Sequence, residues 1–442
     1  MKIHKRIITL FILVTLIISP LASYANTETN NNYTLPNISA RAYYVIDNKT
    51  NKVLYKHREN EKMYPASTTK IVTAILTLEH SNLNDTVTAN YESISEIPEG
   101  YASANLQVGE TLTVEQLLQL LLVPSCNDVA NVLAYHIGGS IDSFVSMMNT
   151  KVHELGLTST HFTNPYGRHD ENHYTTAHDL AIIFQYCLKN NTFRKISSQA
   201  TCSIPATNKS PLRSYESTNK CIVPGNPNYY KHLTCGKTGL TSEAKQCLVS
   251  SSYNNNLELI SVILGSDNRF QDTRRLYMSA YSNYSIHDII KKDTKLSSVT
   301  IQNGTKETKN LDLLASNNIQ VLLNNNINTN DLPHKIEIKP NIKAPINTND
   351  IIGKVTYTID NTEYTCNLIA SHDVEKSNYG NYILYGCSFL IISFILYELF
   401  HIIYTSIEKN DIESDDDEND ENIENNIDIE NNNKNNDENK NN

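Results

Sequence analysis

The stretch Tyr64-Pro65-Ala66-Ser67-Thr68-Thr69-Lys70, running directly into Ile71-Val72-Thr73-Ala74-Ile75-Leu76, constrains this chain more than any other. Apolar residues at Ile71, Ala74, Ile75 and Leu78 recur at helical spacing, which predicts a buried helix starting near Ser67. Pro65 stands just upstream, where a helix is entered rather than crossed. Ser67 and Lys70 are three residues apart and share one face of that helix. A neutral Lys70 amine can take the Ser67 proton; burial and the positive end of the helix dipole both disfavour the ammonium. Backbone N–H groups at the same helix end suit a developing oxyanion. Alone the pair says little, because Ser-x-x-Lys arises by chance about once or twice in a chain this long. Its ordinary meaning is a Ser N-cap before a solvent-facing Lys.

Two motifs downstream decide the matter. Residues 42–46, a turn over 47–51 and residues 52–55 read as a β-hairpin ahead of the Ser67 helix. Gly109-Glu110-Thr111-Leu112-Thr113 leads into a helix over Val114–Leu122, capped by Thr113 and stopped at Pro124. Ser125-Cys126-Asn127 follows, a polar triplet between two apolar helices, the second over 128–137. It is placed to project inward from a tight connection, although Ser and Asn also serve as N-caps. Residues 164–169 form a turn, and 174–180 open another helix. His169, His173 and His178, around that loop and helix start, fit capping and hydrogen bonding better than metal ligation. Leu233-Thr234-Cys235-Gly236-Lys237-Thr238-Gly239-Leu240 alternates like a strand, and 247–250 and 257–264 complete an antiparallel meander. Lys237-Thr238-Gly239 sets a cation and a hydroxyl beside a backbone that a substrate can approach closely, since Gly has no side chain. As a bare tripeptide it is also a surface Lys before a turn.

In that order, and in those settings, the three motifs are specific together. The chain resembles the low-molecular-weight penicillin-binding proteins, the serine-type D-alanyl-D-alanine carboxypeptidases, through Ser67/Lys70, Ser125/Asn127 and Lys237/Thr238/Gly239. Pro65-Ala66, Gly109-Glu110, Asn164-Pro165 and Thr175-Thr176-Ala177-His178-Asp179-Leu180 add context. The resemblance implies an α+β fold: a β-lactamase/transpeptidase-like catalytic domain over 38–287, an antiparallel sheet with a helical subdomain, then a small β-sandwich over 297–374. It implies Ser67 as nucleophile, Lys70 as general base and Ser125 as proton relay. Asn127 would orient Lys70 and the substrate amide, and Lys237 and Thr238 would hold a terminal carboxylate beside Gly239. The N–H groups of Ser67 and Leu240 would form the oxyanion hole, with Arg269 a carboxylate helper. The partners implied are a peptidoglycan stem peptide and β-lactams as covalent inhibitors. Thr241-Ser242-Glu243-Ala244-Lys245-Gln246 is more charged than the family pattern, which bears on substrate preference.

The rest of the chain sets location. Lys2, Lys5 and Arg6 precede an apolar run over 7–18, and Ser23-Tyr24-Ala25 offers a cleavage site, so residues 1–25 read as an export signal. Residues 382–404 are long and apolar enough to span a bilayer, with Tyr382, Tyr385, Tyr397 and Tyr404 towards the ends. The formal charge is −11, and residues 408–442 hold fourteen Asp/Glu against three Lys, a difference of −11, so the chain before them is neutral overall. Net charge therefore gives no nucleic-acid footprint. Residues 405–442 read as a disordered acidic tail, cytoplasmic if the catalytic domain is outside a single-pass anchor. Of eight cysteines, Cys387 lies in the apolar span. Cys235 and Cys247 flank a turn as a candidate pair, and small apolar filling is the plainer reading. No Cys or His spacing suits a metal, and no cofactor is expected. Two rivals remain: a class A-like β-lactamase, needing a second base such as Glu154 or Glu171, and a non-catalytic β-lactam-binding or wall-binding protein.

Overall fold

A computed structural model describes residues 37–94, 97 and 100–434, with side chains through 409. The export signal read over 1–25 lies outside the described residues. The chain forms two compact units, the first running to Ser285 and taking back Leu322–Asn326, a segment that the sequence assigns to the second.

In the first unit the predicted hairpin is present as β1 (Ala42–Asp47) and β2 (Val53–His57). The nucleophile helix differs from expectation in its first turn. Ala66–Thr69 form a 3-10 turn, and the α-helix α1 begins only at Lys70 and runs to His80. Ala66 takes a left-handed φ of 47°, a conformation that strains a non-glycine residue, and this tightens the entry. α2 (Val114–Leu122) starts at Thr113 as predicted; the reciprocal Thr113–Gln116 bonds make a capping box, worth about 1 kcal/mol. α3 (Asn127–Gly138) follows, then α4 (Ile141–Glu154) and α5 (Ala177–Cys187), which starts at the Thr176 cap.

Residues 233–266 form the meander: β3 (Leu233–Thr241), β4 (Lys245–Asn254) and β5 (Leu257–Ser266), closed by α6 (Arg269–Asn283). The sheet order is β2-β1-β5-β4-β3, antiparallel throughout, so the N-terminal hairpin docks on the last strand of the meander. This leaves β3, the Lys237-Thr238-Gly239 strand, at a sheet edge with a side open to other chain. On one face of the sheet α5 packs directly, and α1, α2 and α3 join it in one buried cluster that includes Ile71, Leu117, Leu118, Leu133 and Phe184. At about 1.5–3 kcal/mol for each fully buried side chain, this core fixes α1 against the sheet. The other face buries Leu276, Tyr277 and Ala280 of α6.

The second unit is built on β6 (Lys295–Thr300), β7 (Asn310–Ala315), β8 (His334–Ile338), β9 (Ile351–Ile359) and β10 (Thr362–Ala370), in the order β6-β7-β10-β9-β8. Leu311, Leu313, Val355, Cys366 and Leu368 are buried. α7 then runs from Tyr379 to Lys434, well past the predicted span and into the stretch read as disordered. After Gly386 the sequence has no Gly or Pro to stop a helix.

Candidate active site

Ser67, Ser125, Asn127, Thr238, Gly239, Leu240 and Arg269 line one cleft of about 670 Å³. Lys70 and Lys237 lie beneath its surface, both fully buried. Glycine makes the closeness possible. A Cβ on Gly239 would stand 2.7 Å from Pro65 O and 3.1 Å from Ser67 N, so the edge strand rests directly on the nucleophile turn. Gly167, at φ +87°, is tighter still, since its Cβ would come within 1.9 Å of Ala66 O.

Lys70 Nζ donates to Asn127 Oδ1 (2.5 Å) and to Tyr166 O (2.9 Å) and lies 2.9 Å from Ser67 Oγ. A neutral amine has two N–H bonds and one lone pair. The two carbonyl oxygens take the N–H bonds, so the lone pair faces the Ser67 hydroxyl. Burial draws the Lys70 ammonium down to about 7, against smaller upward pulls from Cys126 and Asp128. At that value half of Lys70 is neutral near pH 7, whereas an ordinary lysine would be neutral about three times in ten thousand.

Tyr166 O is aimed by the turn before it. Asn164 Oδ1 accepts from the N–H groups of Gly167 (2.8 Å) and Arg168 (2.9 Å), and Thr73 Oγ1 donates to Pro165 O at 2.5 Å. The carbonyl of Ala66 is held in turn. Thr69 Oγ1 donates to it at 2.8 Å, and His173 Nε2 lies 2.8 Å from that hydroxyl. His173 Nδ1 accepts from Thr163 N, which makes Nε2 the protonated nitrogen; burial holds the imidazolium down to about 3, so the ring is neutral. The structure thus uses His173 as a hydrogen-bonding residue, in line with the sequence reading.

Lys237 Nζ donates to Ser125 Oγ at 2.7 Å and to Thr238 O at 3.0 Å. Burial, then Lys70 and Arg269, hold its ammonium well below the ordinary lysine range. Ser125, which lines the cleft, sits at a left-handed φ of 71° and is, with Ala66, a second strained residue of the catalytic unit. Asp128, next to Asn127, accepts from the N–H groups of Ala104 and Leu106 (3.0 Å each), and Asn127 N donates to Ala102 O, which ties down the Gly100–Ala102 wall.

Arg269 lines the cleft, and its Nη1 donates to Gly239 O at 2.6 Å, so it braces the edge strand. Glu154 instead pairs with Lys151, and neither it nor Glu171 lines the cleft. Cys235 and Cys247 are free: Cys247 faces Gly239 across the strands and Cys235 faces Ser251. Sequence reasoning missed Thr218, whose Oγ1 is 2.7 Å from Thr238 Oγ1 at the cleft wall. No motif marks it; only the fold brings it to β3. The Tyr166 carbonyl was also missed, because backbone leaves no signature in residue type, although Asn164-Pro165 marked its turn.

Residues 27–268 match the family described as D-alanyl-D-alanine carboxypeptidase, and residues 284–376 match the penicillin-binding protein 5 C-terminal domain. The D-alanyl-D-alanine carboxypeptidase DacF of Bacillus subtilis is 31% identical over 353 residues, 77% of this chain and 87% of that protein. The crystal structure of penicillin binding protein 5 from Haemophilus influenzae is similar with a TM-score of 0.57 at 26% identity, over 78% of this chain and 100% of that one. That of the Streptomyces K15 DD-transpeptidase gives 0.53 at 30% identity, over 57% of this chain and 100% of its own.

Proposed function

This chain belongs to the D-alanyl-D-alanine carboxypeptidase family, and from that premise we propose how its cleft releases the terminal D-alanine of peptidoglycan stem peptides. The enzyme is a serine-type peptidase of the cell wall that β-lactams also engage. The stem peptide lies along the open edge of β3, adding as a further strand. Its terminal carboxylate meets the hydroxyls of Ser125, Thr218 and Thr238 above Lys237. Lys70 takes the Ser67 proton as the oxygen attacks the penultimate carbonyl, and the N–H groups of Ser67 and Leu240 receive the oxyanion. The proton passes through Ser125 to the leaving amine, D-alanine departs, and water hydrolyses the Ser67 ester. Asn127 and Arg269 hold Lys70 and the edge strand in register.

The observation that carries this reading is the placement of Lys70, 2.9 Å from Ser67 Oγ with both of its neutral-form N–H bonds taken. Mass spectrometry of a muropeptide ending in D-Ala-D-Ala should show loss of one alanine with the wild type and none with Ser67→Ala. A fluorescent penicillin should label the wild type only. Labelling that persists in Ser67→Ala moves the nucleophile elsewhere.

Residues 38–287 act as the catalytic domain and 297–374 as a separate β domain. Export by residues 1–25 puts both outside the cell, and α7 anchors them through 382–404 in a single pass, its acidic end in the cytoplasm. Support comes from the stretch Tyr379–Lys409, long enough to cross a bilayer, with no residue of its most apolar window buried inside the protein.

A further inference from the structure

The catalytic unit carries a second concavity, of about 580 Å³, lined by Tyr229, Tyr230, Lys231, His232, Arg274 and Tyr281 among others. It shares no residue with the reaction cleft. β4 measures the separation. Gln246 pairs with Leu240 at the cleft end, and Asn254 lines the second pocket eight residues further on, about 26 Å along an extended strand.

The floor of this pocket is rigid and aromatic. Tyr230 and Tyr281 each stack on the buried Tyr277, with centroids 6.2 and 6.3 Å apart and interplanar angles of 10° and 22°. His232 sits edge-on to Tyr230 at 5.5 Å. The hydroxyls of Tyr277 and Tyr281 donate to Ser250 O (2.7 Å) and Ser252 O (2.8 Å), so these rings are tied to β4. The chain beside them is clamped too: Tyr230 N donates to Cys221 O, and His232 O accepts from Tyr253 N. Tyr229 stands 41% exposed at the rim.

The charge is one-sided. Lys231 and Arg274 are exposed and make no ion pair among the described residues, and no carboxylate lines the pocket. Preformed rings with uncompensated cations suit a flat ligand that carries an anion. The C–H face of a pyranose ring packs on an aromatic face, and the concavity fits an inserted ring better than a planar lipid surface. We infer that this pocket is a second binding site, which takes an anionic sugar unit of the cell-wall polymer. The ring lies on Tyr230 and Tyr281, and Lys231 and Arg274 hold its carboxylate or phosphate. The inference rests on the reading above that the enzyme works on the wall. It gives the enzyme a grip on the polymer about one strand length from the bond it cuts.

The test uses full-length protein in detergent, acylated with penicillin so that the reaction cleft is blocked, and measures co-sedimentation with purified insoluble wall. Tyr229→Ala and the pair Lys231→Glu/Arg274→Glu should each weaken sedimentation about tenfold. On a soluble D-Ala-D-Ala peptide, unacylated enzyme should keep kcat/KM within about twofold, because the cleft is untouched. Wall stripped of phosphate polymers separates the sources: binding that survives assigns the anion to a carboxylate, and binding that is lost assigns it to phosphate. Variants that sediment like the wild type, or a wild type that does not sediment, overturn the site. So does capture of the wild type by anionic phospholipid vesicles but not by wall. Penicillin labelling of each variant reports its fold; if the charge-reversed pair fails to label, Tyr229→Ala carries the test. A wild type that leaves the soluble peptide intact counts against the catalytic reading instead, and the sedimentation arm is read independently of it.

Discussion

With Lys70 as the proposed base, the pH dependence of acylation takes its sign from which form is active. Burial favours the neutral amine, and with the ammonium drawn down to about 7 the active fraction grows as pH rises through that value. Penicillin acylation followed over time should therefore climb through about pH 7 and level off above it. Lys70→Arg, which stays charged, should acylate at least about a thousandfold more slowly, since an arginine is neutral even less often than the ordinary lysine above. A profile that is flat across pH 7 would remove Lys70 from the role of base. At the other end of the cleft, Lys237 and the hydroxyls of Ser125, Thr218 and Thr238 should read a free carboxylate. A substrate amidated at its terminal D-Ala should lose at least about tenfold in kcat/KM, or about 1.4 kcal/mol, the lower edge for a charge-assisted bond. Thr218→Val should narrow that gap between acid and amide, because Thr238 loses the hydroxyl that orients it. Equal rates on acid and amide with the wild type would point to an internal bond as the substrate. Ser67, Lys70, Ser125, Asn127 and Lys237 were legible because each carries its chemistry in its side chain and in a fixed spacing. Thr218 and Tyr166 were not, since one acts through a neighbour met only in three dimensions and the other through its backbone.

Elements with local causes were the legible ones. The Thr113 cap, the 42–57 hairpin and the 233–266 meander depend on residues within a few positions of one another, and they form where the pattern put them. The docking of β1 on β5 joins residues more than two hundred positions apart, and nothing local announces it. The first turn of the nucleophile helix was misread for a related reason. Helical periodicity over Ile71–Leu78 says nothing of Ala66, whose left-handed φ occurs where another stretch of chain presses against it. Gly167 is that chain. Gly167→Ala adds a Cβ that overlaps Ala66 O on top of a positive φ, so it should destabilise by about 3 kcal/mol or more and depress penicillin acylation at least about a hundredfold. Gly139→Ala has a comparable φ of +75° with nothing within 4 Å, and it should cost only about 1 kcal/mol with acylation unchanged. Thermal unfolding with acylation rates separates the two. Equal effects at both positions would mean that the packing of Gly167 on Ala66 does not hold Ser67.

At the scale of the whole molecule, the acidic net charge reduces to one end of the chain. The −11 of residues 408–442 equals the formal charge of all 442 residues; without the three cations of the export signal, Lys2, Lys5 and Arg6, residues 26–407 are left at −3, a small net charge that neither draws nor strongly repels an anionic wall. On the proposed anchoring, retention at the membrane would rest on apolar surface, and exposed apolar surface is concentrated in α7. The large side chains from Tyr382 to Tyr404, including Phe389, Leu390, Ile395 and Phe400, are each more than half exposed. With about 25 cal/mol for every Å² removed from water, even part of this area outweighs any plausible cost of ordering the helix in lipid. The catalytic unit meanwhile closes its own core on the sheet. A chain ending at Lys376 should therefore partition into the soluble fraction while the full chain stays with membranes. Its kcat/KM on a soluble D-Ala-D-Ala peptide should remain within about twofold, since no cleft residue is lost. Protease added to intact protoplasts should remove the Ser67 domain from the full chain and spare an epitope placed after Glu408. Loss of that epitope would mean that 382–404 lies on the membrane rather than across it. A truncated chain that still sediments with membranes would mean that the anchor is elsewhere in the protein.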